Sequence, residues 1–312
     1  MISDEKGWTM KLKIVLFLMF VMITGCTVKE ETKLSILVPM GAPSIAVIPV
    51  LKDDVHSVNL VSGTDPLQAA LISPNPEYDI IIAPINLGAS LISKNSSQYR
   101  LWGVVTWGNL YIVGENESVL KEEGTLALFG ENAVPQKIFD SVKSKIDLTL
   151  TTAYFPSVND AQAQLLTQKV RAAMLAQPLA AATIAKAKEN GKDLKIIANL
   201  QDLWKESTGT ENYPQAAIFV LESSYKTDKK VIDDQIALMK SYVDTCWSES
   251  STLEADIVEL TAEKLGLPNA KLVANVFKGM NVKIQPALEV ESELIEFLKL
   301  FGLTNIRELI IN

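Results

Sequence analysis

The side chains of this chain that could do chemistry are few and poorly grouped. His56 is the single histidine; it stands in Asp53-Asp54-Val55-His56-Ser57, a polar link that reads as a solvated turn between a helix and a strand. A Ser-His-Asp set could be built only around that residue. One histidine and two cysteines are too few for a structural zinc site. No G-x-x-x-x-G-K-S/T run and no G-x-G-x-x-G turn occurs, so nucleotide hydrolysis and dinucleotide binding lack support. A general base at a loop would have to be Glu131 or Asp160. The formal charge of −8, with no Lys/Arg face, argues against a nucleic-acid partner. Nothing here asks for a metal, a cofactor or a catalytic group.

The two cysteines keep different company. Cys246 lies in Tyr242-Val243-Asp244-Thr245-Cys246-Trp247, which reads as helix, and is expected to be a buried small apolar side chain rather than half of a disulfide. Cys26 closes an apolar run over residues 14–23 preceded by Lys11 and Lys13. That run is about half the ~20 residues a spanning helix needs, so it reads as a secretory signal. Asp4 and Glu5 are acidic for such a leader, which makes Met10 an alternative start. Ile23-Thr24-Gly25-Cys26 resembles the bacterial lipobox. The resemblance implies a signal peptide over 1–25, lipid on Cys26, and a polar tether over 26–33 holding an extracytoplasmic domain at the membrane surface.

The elements that would position a site follow a βα rhythm. A β-branched strand over 34–39 ends at Met40-Gly41-Ala42-Pro43-Ser44 and leads into a helix over 45–51. A second strand, 58–61, is followed by Gly63-Thr64-Asp65-Pro66 and a helix over 67–72, with Pro66 marking the helix start. A third strand, 78–83, is a continuous apolar run, as in a sheet covered on both faces. Residues 101–113 read as one long β-prone stretch. The rhythm then restarts with a strand at 125–129, Gly130-Glu131-Asn132-Ala133 and a helix over 134–142. Further strands are expected at 149–154, 170–175 and 215–221, with helices at 161–167, 179–187, 233–247, 251–265 and 291–301. The fold class is therefore α/β, with two doubly wound lobes joined by two crossover hinge segments. Lobe 1 is expected over 34–112 plus 221–312, and lobe 2 over 113–220.

This organisation resembles the type II periplasmic binding proteins, and within them the group that binds sulfonates, nitrate and thiamine-precursor pyrimidines. The resemblance rests on the opening strand with Gly41-Ala42-Pro43-Ser44, the strand–loop–helix over 79–91, the restart at Gly130, and Val170-Arg171-Ala172-Ala173-Met174-Leu175-Ala176-Gln177-Pro178. Gln177 stands where that group often has an acidic residue. The resemblance implies a monomeric solute-binding lipoprotein of an ABC importer, with permease subunits as partners and no enzymatic activity. An enzyme of the thiamine-pyrimidine-synthesis type, and a surface sensor or adhesin, are the alternatives on the same fold.

In open α/β sheets ligands sit beyond the carboxyl ends of the strands, where free helix N–H groups point. The candidates from lobe 1 are Gly41, Ala42, Pro43, Ser44, Gly63, Thr64, Asn86 and Trp107. From lobe 2 they are Gly130, Glu131, Asn132, Tyr154, Asn159 and Gln177. Other roles stand beside these: turn glycines, helix caps at Ser44 and Asn132, core aromatics at Trp107 and Tyr154. No Arg clamp for a carboxylate or sulfonate is visible; Arg171 could reach a cleft or pair with an acidic neighbour. The loops favour a neutral or weakly cationic ligand, a heteroaromatic being one option. An anion held by helix N-termini is the other.

Overall fold

A computed structural model describes residues 32–311; the signal segment, Cys26 and most of the tether lie outside the described residues. In chain order the elements are β1 (Ser35–Pro39), a 3-10 helix (Ala42–Val47), α1 (Ile48–Asp53), β2 (Ser57–Val61), α2 (Asp65–Leu71), β3 (Ile80–Pro84), α3 (Ile85–Ser93), β4 (Tyr99–Trp107) and β5 (Leu110–Gly114). There follow β6 (Thr125–Phe129), α4 (Val134–Val142), β7 (Thr151–Phe155), α5 (Val158–Leu166), β8 (Ala172–Ala176), α6 (Leu179–Glu189), β9 (Lys195–Asn199) and α7 (Leu200–Thr208). The chain ends with β10 (Pro214–Leu221), α8 (Glu222–Ser248), α9 (Ser250–Leu260), α10 (Ala270–Met280), β11 (Val282–Pro286) and α11 (Glu291–Leu298). No helix among the described residues is long and apolar enough to cross a membrane.

The strands form two mixed sheets: a six-stranded one in the order β11-β4-β10-β3-β1-β2 and a five-stranded one in the order β7-β6-β8-β5-β9. β1 pairs parallel with β2 and β3, while β10 runs antiparallel between β3 and β4. In the second sheet β6 pairs parallel with β7 and β8, and β5 antiparallel with β8 and β9. Alternation along each strand assigns residues to opposite faces. Ile36, Val38, Ile80, Ile82, Ile218 and Val220 pack under α8–α10, whereas Leu37, Ile81, Ala83, Ala217 and Phe219 join a core shared with the second sheet. The far face of that second sheet, with Val113, Ala127, Ala173 and Leu175, packs on α5 and α6 residues.

The β-prone stretch 101–113 is two strands in different sheets, broken at Gly108. The chain leaves the six-stranded sheet between Trp107 and Leu110 and returns between Asn199 and Pro214. Residues 110–112 and 214–220 therefore belong to the sheet opposite to the one expected. Gly108 is held from three directions. Its N–H donates to Tyr213 O at 2.8 Å and to Asn212 Oδ1 at 3.1 Å, and its carbonyl accepts from Asn281 Nδ2 at 2.6 Å. Beside it, Tyr213 donates to the buried Gln201 Oε1 at 2.6 Å, which also accepts from Leu110 N at 2.9 Å. Trp204, Tyr213 and Phe297 stack and edge together across the return crossover, with centroids 5.5–6.4 Å apart; each such pair adds about 1 kcal/mol beyond area burial.

Other expectations shift. His56 is buried, not a solvated turn residue; its Nδ1 accepts the Leu34 N–H at 3.1 Å, just before β1 and β2 begin to pair at Ser35 and Ser57. The helix expected at 233–247 begins at Glu222 and bends at Asp228, whose φ/ψ is not helical. The one expected to 265 stops at Leu260, before Thr261 at φ 68°. Strands β9 and β11 and helices α7 and α10 went unpredicted. Of these helices, α7 is capped by Asn199 Oδ1 on Gln201 N and closed by Gly209 at φ 77°, and α10 is capped by Asn269 on Leu272 N.

A Cβ on Gly108 would lie 2.5 Å from Asn212 Oδ1 and from the Tyr213 ring. Gly108→Ala is expected to cost about 1–3 kcal/mol through overpacking of the crossover, measured as a lower urea midpoint with unchanged slope.

Candidate functional site

The carboxyl ends of β1, β3, β4, β6 and β8 converge on one cavity of about 600 Å³, within the usual range for small-molecule sites. From the first sheet's side it is lined by Pro39 to Pro43, Thr64, Gln68, Pro84, Asn86, Leu87, Thr106, Gln215 and Ala216. From the second it is lined by Leu110, Phe129, Gly130, Ala133 to Pro135, Val158 and Ala176 to Leu179, with Asn109 from the crossover between them. None of these lining residues is Asp, Glu, Lys, Arg or His. The polar atoms it offers are amides, hydroxyls and backbone, set among apolar walls.

Helix starts surround the cavity because each strand turns directly into the helix that follows it. Gly41, Thr64, Pro84 and Ala133 each precede a helical segment and carry no side-chain cap. Gly41 takes φ 99°, a conformation open chiefly to glycine, and nothing occupies the space where a Cβ would stand. On the other side, Gln177 is 6% exposed and its Oε1 accepts the Ala181 N–H at 3.2 Å in the first turn of α6. Thr106 Oγ1 accepts the Ala216 N–H at 3.1 Å.

Asn109 is the most constrained polar group here. It is 4% exposed, and Nδ2 donates to the Gln177 carbonyl at 3.2 Å. A carbonyl can only accept, so the amide orientation is fixed by chemistry. Asn109 Oδ1 is then left buried without a hydrogen-bond partner in the protein, as is Asn86 Oδ1 of a second lining residue. An unmet buried acceptor costs about 1–3 kcal/mol.

Of the residues predicted from sequence, Gly41, Ala42, Pro43, Thr64, Asn86, Gly130 and Gln177 line the cavity. The others do not. Ser44 is fully buried and its hydroxyl donates to Gly41 O and Leu265 O, so it fastens the first loop from behind. Gly63 is exposed at a turn with φ 77°. Trp107 points away; its Nε1 donates to Lys283 O at 3.0 Å and it borders a separate cavity of about 330 Å³ with Trp247 and Asn281. Glu131 and Asn132 are exposed beside Gly130, and Asn132 N donates to Gln136 Oε1. Tyr154 packs on the core; burial pushes its phenol up to about 12, with the Asp140 and Glu131 carboxylates adding to the shift. Asn159 is exposed. Asp160, the other carboxylate considered as a base, accepts from Ser157 Oγ at 2.6 Å in a helix cap. Arg171 pairs with Glu122 at the exposed amino end of β8, so it does not reach the cavity. Sequence reasoning missed Asn109, Thr106, Gln68 and Gln215, and the apolar walls Met40, Leu87, Phe129 and Leu179. The Gly108-Asn109 pair inside a β-prone run was the available signal for the crossover.

No family model matches the chain, and no curated sequence matches it. Solved structures do match in fold. An ABC transporter from Parabacteroides distasonis superimposes with a TM-score of 0.70 at 22% identity, over 89% of this chain and 95% of that one. The periplasmic aliphatic sulphonate binding protein SsuA from Escherichia coli gives 0.64 at 15%, over 90% and 92%. The alkanesulfonate-binding protein SsuA from Xanthomonas axonopodis pv. citri, bound to MOPS, gives 0.60 at 15%, over 90% and 95%. The fold is thus the two-sheet, twice-crossed fold of periplasmic binding proteins.

Cys246 is 1% exposed under α9 and α10, and burial pushes its thiol up to about 11. Native protein at pH 8 should leave Cys246 unlabelled by iodoacetamide in peptide mapping, while denatured protein labels fully; rapid native labelling would contradict its place in the core.

Proposed function

We propose that the chain is the solute-binding component of an ABC-type importer. It is held outside the cell membrane by lipid on Cys26, captures a small molecule between its two sheets, and delivers it to permease subunits. The observation that carries this reading is the composition of the cavity. About 600 Å³ of space is lined from both sheets by amides, hydroxyls and apolar side chains, with no titratable group among the lining residues. Such a site has surface to hold a ligand and nothing to move a proton or attack a bond. Glu131, Asp160 and His56, the groups an enzyme on this fold would draw on, all lie outside the lining. The fold shared with solute-binding proteins supports the same reading. Two ligand classes fit at this level: an uncharged molecule, including a heteroaromatic of the vitamin-precursor kind, and a sulfonate- or nitrate-like anion held by helix starts.

The test is capture. Protein incubated with a small-molecule extract of bacterial cells, desalted and then denatured should release a compound detectable by mass spectrometry, chemically unchanged. Ala133→Trp, which fills the cavity from a helix start outside the core clusters, should release none. Retention equal in both proteins, or a released compound that is a reaction product, would contradict capture in this cavity. Bound at a hundredfold its dissociation constant, the compound should add about 2.7 kcal/mol of stability. For the anchor, Cys26→Ala should move the protein from the membrane to the soluble fraction, and an unchanged membrane fraction would contradict lipid attachment there.

A further inference from the structure

We infer that Met40 is a site of oxidation by peroxide, and that its sulfoxide weakens capture in the cavity. The second half rests on the reading of the cavity as a capture site; the first does not.

Among the described residues sulfur occurs in Met40, Met174, Met239, Cys246 and Met280. Most of it is out of reach: the other three methionines are 0% exposed and Cys246 is 1% exposed. Burial also holds the Cys246 thiol above its ordinary range, so little of the reactive thiolate forms there. Met40 is 38% exposed and lines the cavity, and its Sδ accepts from the hydroxyl of the exposed Ser62 at 3.4 Å. A thioether needs no deprotonation to react. Its lone pair attacks one oxygen of hydrogen peroxide, an S–O bond forms as the O–O bond breaks, and the sulfur gives up two electrons. The proton on the transferred oxygen passes to the departing hydroxide, which leaves as water.

The backbone of Met40 holds the oxidised side chain in place. Its N–H donates to Val61 O at 2.9 Å, and the next N–H, of Gly41, donates to Leu265 O at 2.8 Å. Ser44 Oγ donates to the same Leu265 carbonyl at 2.9 Å. The turn behind is equally close, since a Cβ on Gly266 would stand 2.6 Å from Met40 Cβ. Oxidation therefore puts a polar, chiral group where a soft apolar one stood. It does so in a lining whose apolar members include Leu87, Leu110, Phe129, Val134 and Leu179. A molecule packed on Met40 then covers a polar atom that was hydrated before it arrived.

The test uses the full chain, hydrogen peroxide as oxidant and a small-molecule extract of bacterial cells as probe. Peptide mapping should show one oxygen added at Met40 while Met174, Met239 and Met280 stay unoxidised. The extract concentration that gives half-maximal retention should rise about tenfold, the order set by covering a polar group without a partner. Methionine sulfoxide reductase with dithiothreitol should return it to the starting value. In Met40→Leu, whatever its own half-maximal point, peroxide should not move that point. Oxidation spread equally over the buried methionines, or none at Met40, overturns the site. Met40 sulfoxide with an unmoved half-maximal point, or an equal rise in Met40→Leu, overturns its effect on capture. Untreated protein that retains nothing contradicts the capture reading and removes that effect with it, while the peptide map still decides the site of oxidation.

Discussion

The structure depends on how Gly108 is held. It is the point at which the chain passes from β4 to β5, and so from one sheet to the other, without an intervening turn of any length. Tyr213 and Asn212 take its N–H, and Asn281 grips its carbonyl. Those partners come from the return crossover and from the end of α10, so a single peptide ties both crossings to the C-terminal helices. With Gly108 fixed, Asn109 and Leu110 are placed at the floor of the cavity, and β5 falls beside β8 with Leu110 opposite Ala176. The carboxyl ends of strands from both sheets then face one space. A side chain at position 108 would meet Asn212 and the Tyr213 ring, which is why the position is glycine.

Polar groups around this crossing are paired almost without exception. Gln201 serves both Leu110 and Tyr213, Thr106 serves Ala216, Gln177 serves Ala181, and Ser44 fastens the first loop to Leu265. Against that background an unmet acceptor stands out. Among the described residues, two of the four buried side-chain atoms without a partner are Asn86 Oδ1 and Asn109 Oδ1, both in the cavity lining. The other two, Gln235 Oε1 and Tyr242 Oη, lie on α8 and outside that lining.

Much of the fold was legible because apolar runs and helix-start residues alternate so regularly. β1, β2, β3, β6 and β8 each read directly into the loop that follows, and for that reason Gly41, Thr64, Asn86, Gly130 and Gln177 were found at the right end of the sheets. What was not legible depended on pairing between distant residues. The stretch 101–113 is β-prone on both sides of Gly108-Asn109, and that pair marks a break without saying that the two halves belong to different sheets; this hid Asn109 and Thr106 and shifted the lobe boundaries by several residues. Trp107 looks like a stacking group until its indole is seen to donate to Lys283 O, 176 positions away. His56 sits in a polar stretch, and its burial goes with a hydrogen bond from Leu34, 22 positions away, just before β1 pairs with β2. β11, five residues long with an exposed Lys283 at its second position, has too little apolar pattern to announce a strand.

Capture of a small molecule at the strand ends between the two sheets is tested most directly by hydrogen exchange on the full chain. Loaded with compounds from a cell extract, the protein should gain protection at the amides of residues 40–42, 85–87, 109–110, 129–134 and 176–179, from both sheets together. Protection confined to one sheet, or centred on the separate cavity beside Trp107 and Trp247, would contradict it.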